Sequence, residues 1–213
     1  MSTDPRTADT RRRLLEAAAG VFAEEGFRRA TIQAICRRAR ANIAAAHYHF
    51  GDKRRLYAAV FADAERRALA SAPAEAAADG APAARLRAHV ASFLHRLLDP
   101  NRPAWMAQLL AHELVDPTPA LDRIVRRRMR ANHHQIAATL HELAPGARPD
   151  AVRLATLSVV AQCVFYRHSA AIISRLYPDF DPAREVERIA DHVTRFSIAG
   201  LASLRGRRRD SHS

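Results

Sequence analysis

Side chains able to do chemistry on a substrate are few in this chain, and they are poorly spaced for it. His112-Glu113 sets an imidazole beside a carboxyl, but the second His that a zinc-protease helix needs is missing. His133, His134 and His141 fall on one helical segment, and His134 and His141 share a face. With no cysteine or carboxylate set nearby, that face reads as solvated rather than as a metal site. Cys36 and Cys163 are far apart and form no paired framework, the usage of a reducing compartment. The 7 glycines make no phosphate-cradling loop and no Gly-x-Ser-x-Gly elbow. Catalysis, a metal and a cofactor are therefore not expected. What remains is charge. Lys and Arg number 34 against 22 Asp and Glu, a formal net charge of +12 that favours a polyanionic partner. Lys53 is the only lysine, so the arginine excess also carries a compositional bias. Residues 1–70 hold 14 of these cations against 8 acids, so half of the excess lies there and half beyond.

The elements that must position this charge are helical, because apolar residues recur at helical spacing nearly everywhere and no segment reads as strand. Leu14, Leu15, Ala18, Val21 and Phe22 mark a first helix over Thr10 to Glu25, stopped by Gly26. Short helices follow over Thr31 to Ala39 and Ile43 to His49, the second stopped by Gly51. Asp52 caps a longer helix through Ala70, and the Pro- and Gly-bearing stretch Ser71 to Pro82 reads as a loop. Further helices are expected around Leu86 to Leu97, Trp105 to Leu110, Pro119 to Leu143, Asp150 to Tyr177 and Pro182 to Leu204. The count is about nine. The most apolar run, Leu154 to Phe165, is too short and too polar to span a bilayer, and residues 1–13 contain no apolar signal stretch. A cytoplasmic protein is expected.

Two short helices joined by a tight turn describe a helix-turn-helix, whose second helix enters the major groove. Thr31 can cap the second helix and offer a hydroxyl to a phosphate; Asn42 can cap the third. Ile43, Ala44 and Ala45 then lie on the leading turn, where small apolar side chains approach thymine methyls but form no bidentate hydrogen bonds. The segment Thr31-Ile32-Gln33-Ala34-Ile35-Cys36, continued by Ala39 to Lys53 and preceded by Phe27-x-x-Ala30-Thr31, resembles the DNA-binding signature of the TetR family over residues 10–57. The resemblance implies DNA contacts by Thr31, Arg40, Asn42, Ile43, Ala44, His47, Tyr48, His49 and Lys53. Packing between helices is the competing role for His47, Tyr48 and especially His49. Two positions depart from the pattern. Ala34 stands where an acidic residue would complete a capping box, and Arg40 stands where the turn usually has Gly. Either the turn is altered locally or Arg40 is kept for a DNA contact.

The strings His112 to Arg130 and Gln162 to Phe180 resemble the C-terminal domain of the CecR-like subgroup, several members of which are linked to efflux and drug sensitivity. The helix Asp150 to Tyr177 is apolar on too many sides for one buried face, which points to a four-helix dimer interface shared with the last helix. Trp105, Met106, Leu109, His112, Glu113, Phe165, Tyr166 and His168 are the candidates to line an effector pocket, each with ordinary core packing as its alternative.

The chain is thus read as all-α: a three-helix DNA-binding domain over 1–57, an effector-binding and dimerisation domain over 58–204, and a disordered basic tail over 205–213. The function expected is that of a ligand-responsive repressor that binds a palindromic operator as a homodimer and is released by a small molecule. A redox sensor is disfavoured because both cysteines look like small core residues. A purely architectural DNA binder is disfavoured because it has no need of so large an apolar C-terminal half.

Overall fold

The computed structural model describes residues 5–70 and 80–204; the expected basic tail 205–213 and most of the expected loop, 71–79, lie outside them. Among the described residues every regular element is helical. They are α1 (Pro5–Arg29), α2 (Ile32–Ala39), α3 (Ile43–Phe50), α4 (Lys53–Ala70), α5 (Pro82–Leu98), α6 (Ala104–Val115), α7 (Pro119–Ile124), α8 (Arg130–Leu143), α9 (Pro149–His168), α10 (Ala170–Leu176) and α11 (Val186–Leu204). There are eleven because two of the expected long helices are each divided. A five-residue π-helical turn, Val125–Met129, separates α7 from α8. A break at Ser169 (φ −102°, ψ 15°) separates α9 from α10. The last helix also starts four residues later than Pro182, after the turns around Asp181 to Arg184.

The chain forms two compact units. Of the described residues, the first comprises 5–70 and 101–127, the second 80–100 and 128–204. In the first, α1 packs on α2, α3, α4 and α6, and α4 packs on α7. The apolar stripe of α1 is buried as its spacing predicts, with Leu14, Ala18 and Phe22 fully enclosed. Tyr57 stands edge-on to Phe22 (4.7 Å between centroids) and to Phe61 (5.1 Å), and tilted to Phe27 (4.9 Å). Such pairs add about 0.5–1.5 kcal/mol each beyond area burial. Gly26 bends α1 at φ 74°, ψ 171°, which only glycine adopts without strain. An added Cβ there would also stand 3.1 Å from the His112 ring. The expected stop at Gly26 is therefore a kink, after which helix continues to Arg29.

Tyr57 also carries the main polar tie of this unit. Its hydroxyl donates to Glu113 Oε1 (2.7 Å), and Thr118 donates its amide to Oε2 (2.9 Å) and its hydroxyl to Oε1 (2.7 Å). Glu113 is fully buried, and the three bonds satisfy it where an unpartnered carboxyl would cost several kcal/mol. Burial, then the bond to Glu113, raises the Tyr57 phenol far above its ordinary range, so it stays a donor at any physiological pH.

In the second unit α5, α8, α9 and α11 enclose a core built on Leu86, Leu94, Leu140, Val159, Cys163 and Val193. Outside it Arg87 bonds Asp191 (2.5 Å) and Glu187 (2.9 Å), and His95 meets Glu187 (2.9 Å), tying α5 to α11. His95, then Arg87, hold the Glu187 carboxyl below the usual carboxylate range. A depressed carboxyl stabilises the fold above the unfolded value of about 4.3 and loses that contribution as pH falls through its lower folded value. Glu187→Gln is expected to lower the melting temperature at pH 7, with the difference from wild type shrinking toward pH 3; scanning calorimetry across that range checks it.

Candidate nucleic-acid interface

The reader is α2 and α3 with the three residues between them. Thr31, extended at φ −120°, ψ 149°, starts α2, and its Oγ1 accepts the Ala34 amide at 3.1 Å. With Ala34 in place of an acid, the reciprocal half of a capping box is absent. At the other end Arg40 takes the left-handed conformation itself, φ 51°, ψ 47°, the only non-glycine with positive φ among the described residues. Its amide donates to Arg37 O (3.3 Å) and that of Ala41 to Cys36 O (3.0 Å), the paired bonds of a Schellman turn. The turn is thus kept without glycine, at a strain of about 1–2 kcal/mol. The Cys36 thiol donates to Asn42 O (3.6 Å), and Asn42 Oδ1 accepts the Ala45 amide (2.7 Å), so the recognition helix starts from a closed turn.

On α3, Ala46 and Phe50 point into the unit, with the Arg11 guanidinium over the Phe50 ring at 5.2 Å. At about 100° per residue the opposite arc holds Ala44 and Tyr48, with His47 at its edge; Ile43 shares the register of Phe50 but is left exposed at the first turn, and Tyr48 is 80% exposed. The Tyr48 ring meets the neighbouring His49 ring edge-on and is otherwise turned outward. His49 is half-buried between the rings of Tyr48 (5.1 Å) and Phe50 (6.2 Å). His47 Nδ1 lies 2.5 Å from Gly51 O and so serves as a cap on the end of α3. Lys53 is placed unlike a simple phosphate hook. Its ammonium donates to Ala30 O (3.0 Å) and Arg28 O (3.3 Å) and sits 4.7 Å above the Phe27 ring. Two of its three donors thereby close the end of α1, leaving one for a phosphate.

Arg13 and Arg38 hold the reader on α1 and are not evident from the sequence. Arg13 donates to Ala39 O (3.3 Å) at the end of α2. The Arg38 guanidinium lies over Gly20, 2.9 Å from where a Cβ would be, and donates to Glu24 (2.7 Å). The signal for it was Gly20, an isolated glycine inside a helical pattern, which marks a close approach.

The expected effector-lining residues are divided between the two units. Trp105, Met106, Leu109, His112 and Glu113 lie on α6 in the first, and Phe165, Tyr166 and His168 on α9 in the second. Met106, Leu109 and Glu113 are interior, and His112 Nε2 meets Ala23 O at 3.0 Å. Trp105 is half-buried and His168 exposed. Phe165 and Tyr166, with Gln162 and His192, line an open depression of about 320 Å³. No group of three or more His, Cys, Asp or Glu is placed to hold a metal among the described residues, and no helix there is long and apolar enough to cross a membrane.

A capped two-turn helix presenting an unpaired face beside a Schellman turn defines a helix-turn-helix DNA-binding protein. The family model "Bacterial regulatory proteins, tetR family" matches residues 14–60, and "HTH-type transcriptional dual regulator CecR, C-terminal domain" matches residues 82–201, more than half of the chain. This chain belongs to the TetR family of bacterial transcriptional regulators, in the group with a CecR-type C-terminal domain. Solved structures share the fold. HlyIIR, a hemolysin II transcriptional regulator, has a TM-score of 0.58 at 22% identity over 88% of this chain and 98% of its own. A TetR-family regulator from Streptomyces coelicolor has 0.60 at 21% over 93% and 97%. A TetR-like regulator from Rhodococcus sp. RHA1 has 0.61 at 18% over 91% and 96%. None of the curated protein sequences shows significant similarity to this chain.

Two outcomes follow from the reader's geometry. Arg40→Gly relieves the left-handed strain and is expected to raise stability by about 1 kcal/mol, while the salt slope of DNA binding drops by about one if the guanidinium meets a phosphate; denaturant melts and a salt titration read the two effects separately. Burial pushes the Cys163 thiol up to about 12 and raises that of Cys36, so neither is a thiolate at neutral pH. Iodoacetamide is expected to leave the native protein unlabelled and to modify both thiols once it is denatured.

Proposed function

We propose that this regulator is a repressor that occupies a palindromic operator as a homodimer and leaves it when a small effector binds. The observation that carries the DNA half is the exposed face of α3, with Ile43 and Ala44 set for thymine methyls and His47 and Tyr48 further along the helix. Thr31 and Asn42, each already accepting a backbone amide, place the N-termini of α2 and α3 where their remaining free amides receive phosphates. Arg40 and the third donor of Lys53 extend this track, and His49 positions the rings around it. We take residues 1–57 as the reader and 58–204 as the part that senses and dimerises.

The dimer half rests on α9 and α11, which pack together in the second unit. Leu154 (61%), Leu157 and Phe165 (55%) form one exposed apolar stripe on α9 at spacings of three and eight, and Phe196 (63%) stands exposed on α11. A patch of that kind on a protein that works in water marks an interface, and a second copy satisfies it by two-fold symmetry. Two recognition helices about 34–36 Å apart then meet successive major-groove faces. The hemolysin II regulator with the same fold is a transcriptional regulator by its own description, which agrees with this reading. A cytoplasmic location follows from the partner.

Effector release requires a ligand with different affinity for the DNA-bound and free states, about 5.5 kcal/mol for a swing from almost all bound to almost all free. The first unit holds the reader together with α4, α6 and α7, so a ligand that shifts α6 or α7 acts on the helix that follows the reader.

The test is a gel-shift titration on the DNA upstream of the protein's own gene, with unrelated DNA as competitor at physiological salt. One discrete complex that resists competitor is expected, weakened more than tenfold by Tyr48→Ala with His47→Ala; equal binding to both DNAs would contradict specific readout. Phe165→Glu with Phe196→Glu is expected to convert a dimer to monomers in sedimentation velocity and to abolish the discrete complex. A wild type that sediments as a monomer at micromolar concentration would overturn the dimer.

A further inference from the structure

We infer that the depression between α4 and α7 is the effector site and that it takes an amphiphilic organic acid, an anionic head on an apolar body. This rests on the effector-release reading above and adds the ligand's chemistry. The depression lies wholly within the first unit and has a volume of about 100 Å³. It exists because α4 presents the small side chains Ala58 and Ala62 opposite Ala120 of α7, while Phe61 and Ile124 wall it. That floor has no polar side chain. The rim has two, Arg123 at the end of α7 and Arg127 in the π-helical turn.

Both arginines are exposed, and neither meets a carboxylate among the described residues, although Arg12, Arg38, Arg66, Arg67, Arg85 and Arg87 all do. Two free guanidiniums over an apolar floor match a planar carboxylate held bidentately, with its hydrocarbon against alanine, phenylalanine and isoleucine. A volume of about 100 Å³ is well under the roughly 300 Å³ at which drug-sized ligands are enclosed, so only the head and its first carbons are buried. The π-helical turn is a second, independent pointer. Such turns cost hydrogen-bond geometry and are found at functional sites, and this one carries Arg127. DNA phosphate is the other anion for these arginines, but the apolar floor gives a phosphate backbone nothing to pack on.

The site also has the position an effector needs. One wall is α4, which begins at Lys53, the residue that closes the end of α1 behind the reader. The other is α7, which follows directly from Thr118, a donor to the buried Glu113. A ligand wedged between Ala62 and Ala120 therefore bears on both ends of the Tyr57–Glu113–Thr118 tie.

The probe is octanoate, with octanol as the neutral match and inorganic phosphate as the head alone, titrated by calorimetry into the full-length protein at physiological salt. Saturable binding of octanoate, at least tenfold tighter than of octanol or phosphate, and its loss by more than tenfold in R123Q/R127Q, is expected. Ala62→Phe, which fills the depression and keeps both arginines, is expected to abolish it too. Equal binding of octanoate and octanol, undiminished binding in R123Q/R127Q, or no octanoate binding overturns the site. If phosphate binds as tightly as octanoate, the site is one for free phosphate and the amphiphile is wrong. A loss of operator affinity in R123Q/R127Q without ligand, greater than in Ala62→Phe, assigns the arginines to DNA and also overturns it. Operator release is then read separately by fluorescence anisotropy. Octanoate that binds through Arg123 and Arg127 but leaves the operator occupied upholds the site and overturns effector release. Release that persists in R123Q/R127Q upholds release and overturns the site.

Discussion

The recognition helix cannot hold itself in place. Eight residues make two turns, well below the length at which an isolated helix is stable in water, so α3 exists only because its ends and one face are fixed from outside. The Schellman turn at Arg40 fixes the entry, the Asn42 side chain and the Cys36 thiol close it, and Gly51 with His47 fixes the exit. Ala46 and Phe50 supply the buried face. Arg13 and Arg38 hold α2 from α1, and Lys53 closes α1 behind them. The exposed side chains of Ile43, Ala44, His47 and Tyr48 are what remain after those constraints are met, and they are the part free to touch a nucleic acid. A left-handed arginine within this frame shows that the turn's geometry outranks the conformational preference of the residue that occupies it.

The same unit holds a buried polar tie. Glu113, fully buried, joins α4, α6 and the start of α7 through three hydrogen bonds. A fully satisfied buried polar cluster is rigid, because a shift that breaks one bond leaves a group unpartnered at about 1–3 kcal/mol. Under the effector-release proposal, a displacement of α7 is passed to α4 rather than absorbed at the contact. Coupling of a few kcal/mol is the size that allosteric responses use.

The reader was legible in the sequence because its signals are local. Thr31 and Asn42 are caps, Gly26 and Gly51 mark backbone turns, and the apolar stripe of α1 has helical period. Even the departure at Arg40 was visible, though not which way it would resolve. The less legible features are those set by tertiary packing. The π-helical turn falls where apolar spacing continues without Pro or Gly, so nothing marks it. Ser169 breaks α9 in the same silent way. Glu113 reads as a pocket-lining candidate, and its buried tie is not legible because its partners, Tyr57 and Thr118, lie on other elements. Lys53 reads as a phosphate hook because a short-range motif says nothing of the Arg28 and Ala30 carbonyls. That α6 and α7 pack with the N-terminal helices is likewise a long-range fact, and it changes what the residues on α6 can do.

The central claim, that nucleic acid is met by the face α3 is held to present, is tested most directly by a backbone-amide NMR titration of the full-length protein with its operator. The account predicts that the largest shifts fall on the starts of α2 and α3, around Thr31 to Ala34 and Asn42 to Tyr48, while Arg123 to Arg130 stay unmoved. Shifts centred on the arginines of α7 and the π-helical turn, with α3 unchanged, would contradict it.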